Sequence, residues 1–133
     1  MAATVQLEAW NEQRGAIARL YSSRLAGTGL RLPVVPQFAD PVWHLYVIRH
    51  PRRDALQKAL AERGVGTLIH YPIAPHRQRA YAGTAAASLS LPIAEAMAEE
   101  VLSLPMGPHL SLQEADSVAD TLADLMQSTE FRL

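Results

Sequence analysis

Two periodicities that exclude one another within a single element share this chain. Val42-Trp-His-Leu-Tyr-Val-Ile48 alternates with the period of a strand. Leu7, Trp10, Ile17, Leu20, Tyr21 and Leu25 on one side of it, and Leu112, Ala115, Val118, Leu122 and Leu125 on the other, recur at the three- and four-residue spacing of helices. A chain that must bury both patterns reads as α+β: a small mixed sheet of about three core strands flanked by helices. At 133 residues one core suffices, because a chain of this size buries about two thirds of its unfolded surface. Residues 1–133 are therefore expected to form a single domain.

The first helix is expected over about 5–26, ended by Gly27 and Gly29, and it is long for the opening element of so small a domain. Its N-terminal half is expected to pack on something else. Pro33 and Pro36 make an extended connection. The strand Val42–Ile48 is apolar or aromatic on both sides, so both faces are expected to be covered. Pro51–Arg63 reads as a helix capped by Gly64, and Val65–His70 as a second strand. Tyr71-Pro-Ile-Ala-Pro-His76 can continue neither a ladder nor a helix, which leaves His70 at a strand end entering a proline-stiffened loop. Pro92 opens a helix with Ile93, Met97 and Val101 on one face, and a short strand Leu102–Met106 follows. Ser111-Leu-Gln-Glu114 is a capping box for a last helix ending at Gln127.

Charge and composition narrow the function classes. The net charge of −1 hides a basic middle (Arg49, Arg52, Arg53, Lys58, Arg63, Arg77, Arg79) and an acidic tail, and the basic run falls partly on a helix face, so nucleic acid is not an expected partner. With no cysteine, disulfides, thiolate catalysis and Cys-containing zinc sites are excluded. No membrane span and no secretory leader are expected, and the location expected is the cytoplasm. Ser88, Ser90 and Ser103 lack a G-x-S-x-G elbow, and no glycine-rich phosphate loop occurs. Lys58, the one lysine, is expected on a solvated helix face, unsuited to a Schiff base. His44, His70 and His76 do not have the spacing of a metal site, so no metal is expected. His50 and His109 are expected to be solvent-facing turn residues and His44 a half-buried strand residue. Trp10, Trp43 and Tyr46 are expected in the core.

Taken in order, L-E-A-W-N-E-Q-R-G-A-I-A-R-L-Y (7–21), V-W-H-L-Y-V-I-R (42–49), R-D-A-L-Q-K-A-L-A-E-R-G-V-G-T-L-I-H-Y-P-I-A-P-H (53–76) and L-P-I-A-E-A-M-A-E-E-V-L-S-L-P-M-G-P-H-L (91–110) resemble the C-terminal, small domain of the DegT/DnrJ/StrS-type nucleotide-sugar aminotransferases. The resemblance implies the aspartate-aminotransferase fold and a pyridoxal-phosphate enzyme that converts a keto sugar nucleotide to an amino sugar nucleotide, with glutamate as amine donor. It also implies that the Schiff-base lysine and phosphate-binding residues belong to a larger N-terminal domain preceding the first helix. The chain by itself is therefore expected to bind no cofactor and not to transaminate. Carried over by position, His70 and Tyr71, with His76 and Arg77, resemble the family's motif at the mouth of the active site and are the expected substrate-binding residues. Two further expectations stand beside this one: a docking unit that completes a split enzyme or self-associates through exposed apolar surface, and a free-standing nucleotide-sugar binder.

Overall fold

The computed structural model describes residues 2–132; Met1 and Leu133, the ends of the expected domain, lie outside the described residues. The elements run α1 (Ala2–Arg24), β1 (Tyr46–Arg49), α2 (Arg53–Glu62), α3 (Pro92–Glu100), β2 (Val101–Leu104) and α4 (Leu112–Gln127). The class is α+β, but the sheet is smaller than expected. It is two-stranded and antiparallel, with Tyr46 opposite Leu104 and Arg49 opposite Val101.

β1 is shorter than the alternation in 42–48, and β2 stops at Leu104 instead of running to Met106. The ladder ends at the Tyr46–Leu104 pair. The expected strand 65–70 shrinks to a single bridge, Leu68 with Ser103, hemmed in by Gly64 and Gly66 before it and Pro72 after. A second bridge joins Arg31 to Arg49 on the opposite edge.

Residues paired across an antiparallel ladder share a face, so Tyr46, Leu104, Ile48 and Leu102 point one way, and Val47, Ser103, Arg49 and Val101 the other. The first face is the core. All four residues are buried, together with Ile17, Tyr21 and Leu25 of α1, Leu56 and Leu60 of α2, and Ala115, Leu122 and Leu125 of α4. At this size the buried aliphatic and aromatic groups contribute roughly 1.5–3 kcal/mol apiece. The rings of Tyr21 and Tyr46 pack at 5.2 Å between centroids, tilted by 54°. The phenol of Tyr21 donates to Pro105 O (2.9 Å) and that of Tyr46 shares a hydrogen bond with Ser22 Oγ (2.9 Å). Burial pushes both phenols above the usual tyrosine range, which keeps them neutral hydrogen-bonding groups.

Helix ends follow local chemistry. Ser111 Oγ accepts from Glu114 N while the Glu114 carboxylate accepts from Ser111 N, the reciprocal capping box expected for α4. Gly64, just past the C-cap Arg63 of α2, has φ +80°, a backbone conformation that side chains with a Cβ rarely adopt. The buried Arg53 spans α2 and the α3–β2 junction, donating to Ala98 O (3.1 Å) and Val101 O (3.0 Å).

Three expectations about single residues need correction. His50 is fully buried, not solvent-facing. Its Nδ1 accepts from Arg52 N (3.0 Å) and its Nε2 donates to Phe131 O (3.1 Å), because the chain beyond α4 folds back and lays the Phe131 ring edge-on against the imidazole at 5.8 Å. His44 is exposed, lying before the ladder begins. Trp10 is also exposed, at 42%, along with Leu7 at 50%; both precede the stretch from Ile17 onward by which α1 enters the core. Trp43 and Tyr46 do pack with the core.

Candidate functional site

The expected covering of both sheet faces also fails. Val47 and Leu45 are only half-buried, and with Leu32, Val34, Trp43 and Met97 they line an open cleft of about 690 Å³ on the face opposite the core. Arg31 and Arg49 stand at its edge, and Arg49 is fastened to Glu100 through Nε (3.1 Å) and Nη2 (2.8 Å). α3 does not close this face. Its apolar residues Ile93 and Met97 are exposed, and Ala98 is the residue it buries.

Beside the cleft, sharing Met97 and Val101 with it, is a cavity of about 230 Å³ between α3 and the segment that follows Leu68. His70 and Tyr71 form its rim, and Ile73, Ala74 and Pro75 continue the wall. The bridge at Leu68 delivers the chain to the open face, and there Ser103 of β2 turns its hydroxyl to His70 Nδ1 at 2.9 Å. The Tyr71 ring stands edge-on to the imidazole at 5.6 Å and is 71% exposed. An oriented imidazole and a solvent-facing phenol at the lip of a mostly apolar cavity can hydrogen-bond hydroxyl or phosphate oxygens of a ligand placed over it.

The other two expected site residues lie one turn further on, in the first of three one-turn 3-10 helices between Pro75 and Ser88. His76 is buried, and its Nε2 donates to Glu95 Oε1 at 2.9 Å. Among the described residues its Nδ1 has no partner. Arg77 donates through Nη1 to Ala87 O (2.9 Å) and through Nη2 to the same Glu95 oxygen (3.0 Å). Leu91 N donates to it as well (3.2 Å). The His76 bond first, then the Leu91 N–H and Arg77, hold the Glu95 carboxyl down to about 2. The structure thus sets His70 and Tyr71 together at the cavity and His76 and Arg77 together against Glu95 of α3.

Neither Ser103 nor Glu95 was singled out from sequence. Glu95 carried a signal, since an acidic residue just after a helix-opening proline sits where the helix dipole favours it. Ser103 carried none until the register was known. Among the described residues no group of three or more histidines and carboxylates is placed to hold a metal ion, and no helix is long and apolar enough to cross a membrane.

Comparison with known proteins gives a consistent picture. The pattern of the DegT/DnrJ/EryC1/StrS aminotransferase family matches residues 2–123. A dTDP-3-amino-3,4,6-trideoxy-alpha-D-glucose transaminase of Streptomyces venezuelae is 49% identical over 119 residues, 89% of this chain and 31% of that protein. A dTDP-3-amino-3,6-dideoxy-alpha-D-galactopyranose transaminase of Aneurinibacillus thermoaerophilus is 40% identical over 112 residues, 84% of this chain and 30% of that protein. The crystal structure of S. venezuelae DesV in complex with a ketimine intermediate superposes with a TM-score of 0.90 at 46% identity, over 95% of this chain and 34% of the other. The chain therefore spans about a third of the length of the relatives it matches.

Proposed function

Because the chain belongs to the DegT/DnrJ/EryC1/StrS aminotransferase family, whose members use pyridoxal phosphate, we propose that residues 1–133 form one small domain of a cytoplasmic enzyme aminating a keto sugar nucleotide, with glutamate as donor. In this reading His70 and Tyr71 face the sugar nucleotide, the cavity behind them takes its apolar edges, and a cofactor-bearing domain, joined to this one or separate, supplies the opposing wall. The observation that carries the reading is the His70–Tyr71 pair, oriented by Ser103 at a cavity rim that adjoins the uncovered apolar sheet face. A finished wall of a complete pocket would not need such a face; half of one does.

The residues of this chain do not themselves fit pyridoxal phosphate. A Schiff-base lysine has to be desolvated and aimed into a pocket. Lys58 is the one lysine; its side chain is 80% exposed on α2, with its ammonium 3.9 Å from Glu62. We therefore assign no transamination to the chain alone. Titration of the purified chain with pyridoxal phosphate, followed by borohydride trapping and peptide mass analysis, is expected to give no saturable adduct. A stoichiometric adduct on Lys58 overturns that assignment.

A second reading, favoured by the exposed Leu7, Trp10, Val34 and Val42, is a docking unit: the same apolar surface binds a separate cofactor-bearing chain or a second copy. Sedimentation across a concentration series separates the two. A monomer at all concentrations argues against self-association, and concentration-dependent dimers that a Val34→Ser, Val47→Ser variant abolishes locate the contact on the open face.

A further inference from the structure

We propose that Glu95 is a positioning residue: its carboxylate is the clamp that holds the loop 71–90, and with it the His70–Tyr71 rim, against α3. The loop has little else to hold it. Only Ala74 and His76 within it are buried. Its backbone hydrogen bonds, from Arg77 N to Ala74 O through Leu89 N to Ala86 O, each close a turn of the loop on itself, as do the hydroxyls of Thr84 and Ser88. Among the described residues, every hydrogen bond that leaves residues 71–90 for the rest of the chain ends on Glu95 Oε1: one from His76 Nε2 and one from Arg77 Nη2.

The arrangement is economical in geometry. The same oxygen accepts from Leu91 N, so the carboxylate is fixed to the first turn of α3 before it receives the loop. Its negative charge also lies at the positive end of that helix. The Nη1 of Arg77 reaches Ala87 O, so a single guanidinium ties the first and third turns of the loop to the same anchor. The imidazole of His76 is the buried arm, and the guanidinium the solvent-side arm. His76 and Arg77, resembling substrate residues by position, thereby act through the loop, setting where Tyr71 and the cavity wall stand.

This inference rests on the reading of His70 and Tyr71 as substrate-facing only for its functional meaning; the clamp itself is testable without a ligand. The test is hydrogen–deuterium exchange read by mass spectrometry on the 133-residue chain and on Glu95→Ala and Glu95→Gln. Glu95→Ala is expected to speed exchange of the amides of 77–89 by about tenfold or more, because a charge-assisted bond network on one group is lost. Peptides from β1, β2 and α4 should stay at wild-type rates. Glu95→Gln, which keeps an acceptor oxygen but no charge, should recover part of the protection. Unchanged loop exchange in Glu95→Ala overturns the clamp. A rise spread evenly over α1, α4 and the sheet overturns it as well, since Glu95 would then be an ordinary fold residue. Neither result bears on whether a sugar nucleotide meets His70, so a failed clamp and a failed substrate reading remain distinguishable.

Discussion

The two faces of one small sheet have opposite fates. On the core face Tyr46, Ile48, Leu102 and Leu104 lie under α1, α2 and α4 with essentially no exposure. On the other, Leu45 and Val47 border a cleft and Val34 is 88% exposed. Both faces carry apolar residues, although on the open one Val47 and Val101 alternate with Arg49 and Ser103. What differs is whether the chain returns to cover them: α4 comes back across the core face, while α3 approaches the other and presents Ile93 and Met97 to solvent. Hydrophobicity alone thus marks surfaces that are meant to be covered, and the packing shows which of them this chain covers itself.

The sharpest way to break this contrast is a paired substitution. Leu122→Ala, at a fully buried α4 position, is expected to cost about 2–5 kcal/mol in urea denaturation. Val34→Ser on the open face should change stability by no more than about 0.5 kcal/mol. Equal costs would mean that the open face is covered in solution. Next in size, His50→Ala strips the partners from Arg52 N and Phe131 O inside the core, and a loss of about 2 kcal/mol is expected. A neutral result would place the segment around Phe131 off the core. Ser111→Ala removes the α4 cap and should cost about 1 kcal/mol, a measure of how far the core face depends on α4 being intact.

The smallest effect on global stability, and the one confined to the open side, is the pH response of Glu95. Its folded-state value of about 2 lies below the ordinary 4.5. The unfolded chain therefore takes up the proton first as pH falls. The clamp's contribution is complete above about pH 4.5 and disappears as pH drops from there toward 2. Exchange in the loop, corrected for the intrinsic pH dependence of the chemistry, should rise over that interval in wild type and stay flat in Glu95→Ala.

The local elements were legible because their causes are local. The capping box at Ser111 and Glu114, the stripe of α4 and the proline-stiffened loop after His70 need no knowledge of partners. What sequence could not show is long-range. His50 precedes a proline in a turn and reads as a surface residue, and only the return of Phe131 buries it. Ile93 and Met97 share a face as their spacing says, but spacing does not state what lies over that face. The site divided the same way: the proline-stiffened loop entered at His70 and Tyr71 was legible, whereas the contact of Ser103 with His70 and that of Glu95 with His76 depend on long-range packing.

The pairing of Tyr46 with Leu104 also has a consequence in time. Apart from the single bridges of Arg49 to Arg31 and Ser103 to Leu68, β1 and β2 pair with each other, and the loop that separates them contains α2, the site loop and α3. A chain emerging from the ribosome would carry β1 as an unpaired strand until β2 had been made, and α4, which covers the core face, comes later still. Closing that long loop is entropically expensive and slow relative to helix formation. The two halves of the core thus become stable together and late, and a nascent chain halted before Val101 has helices but no sheet to lay them on.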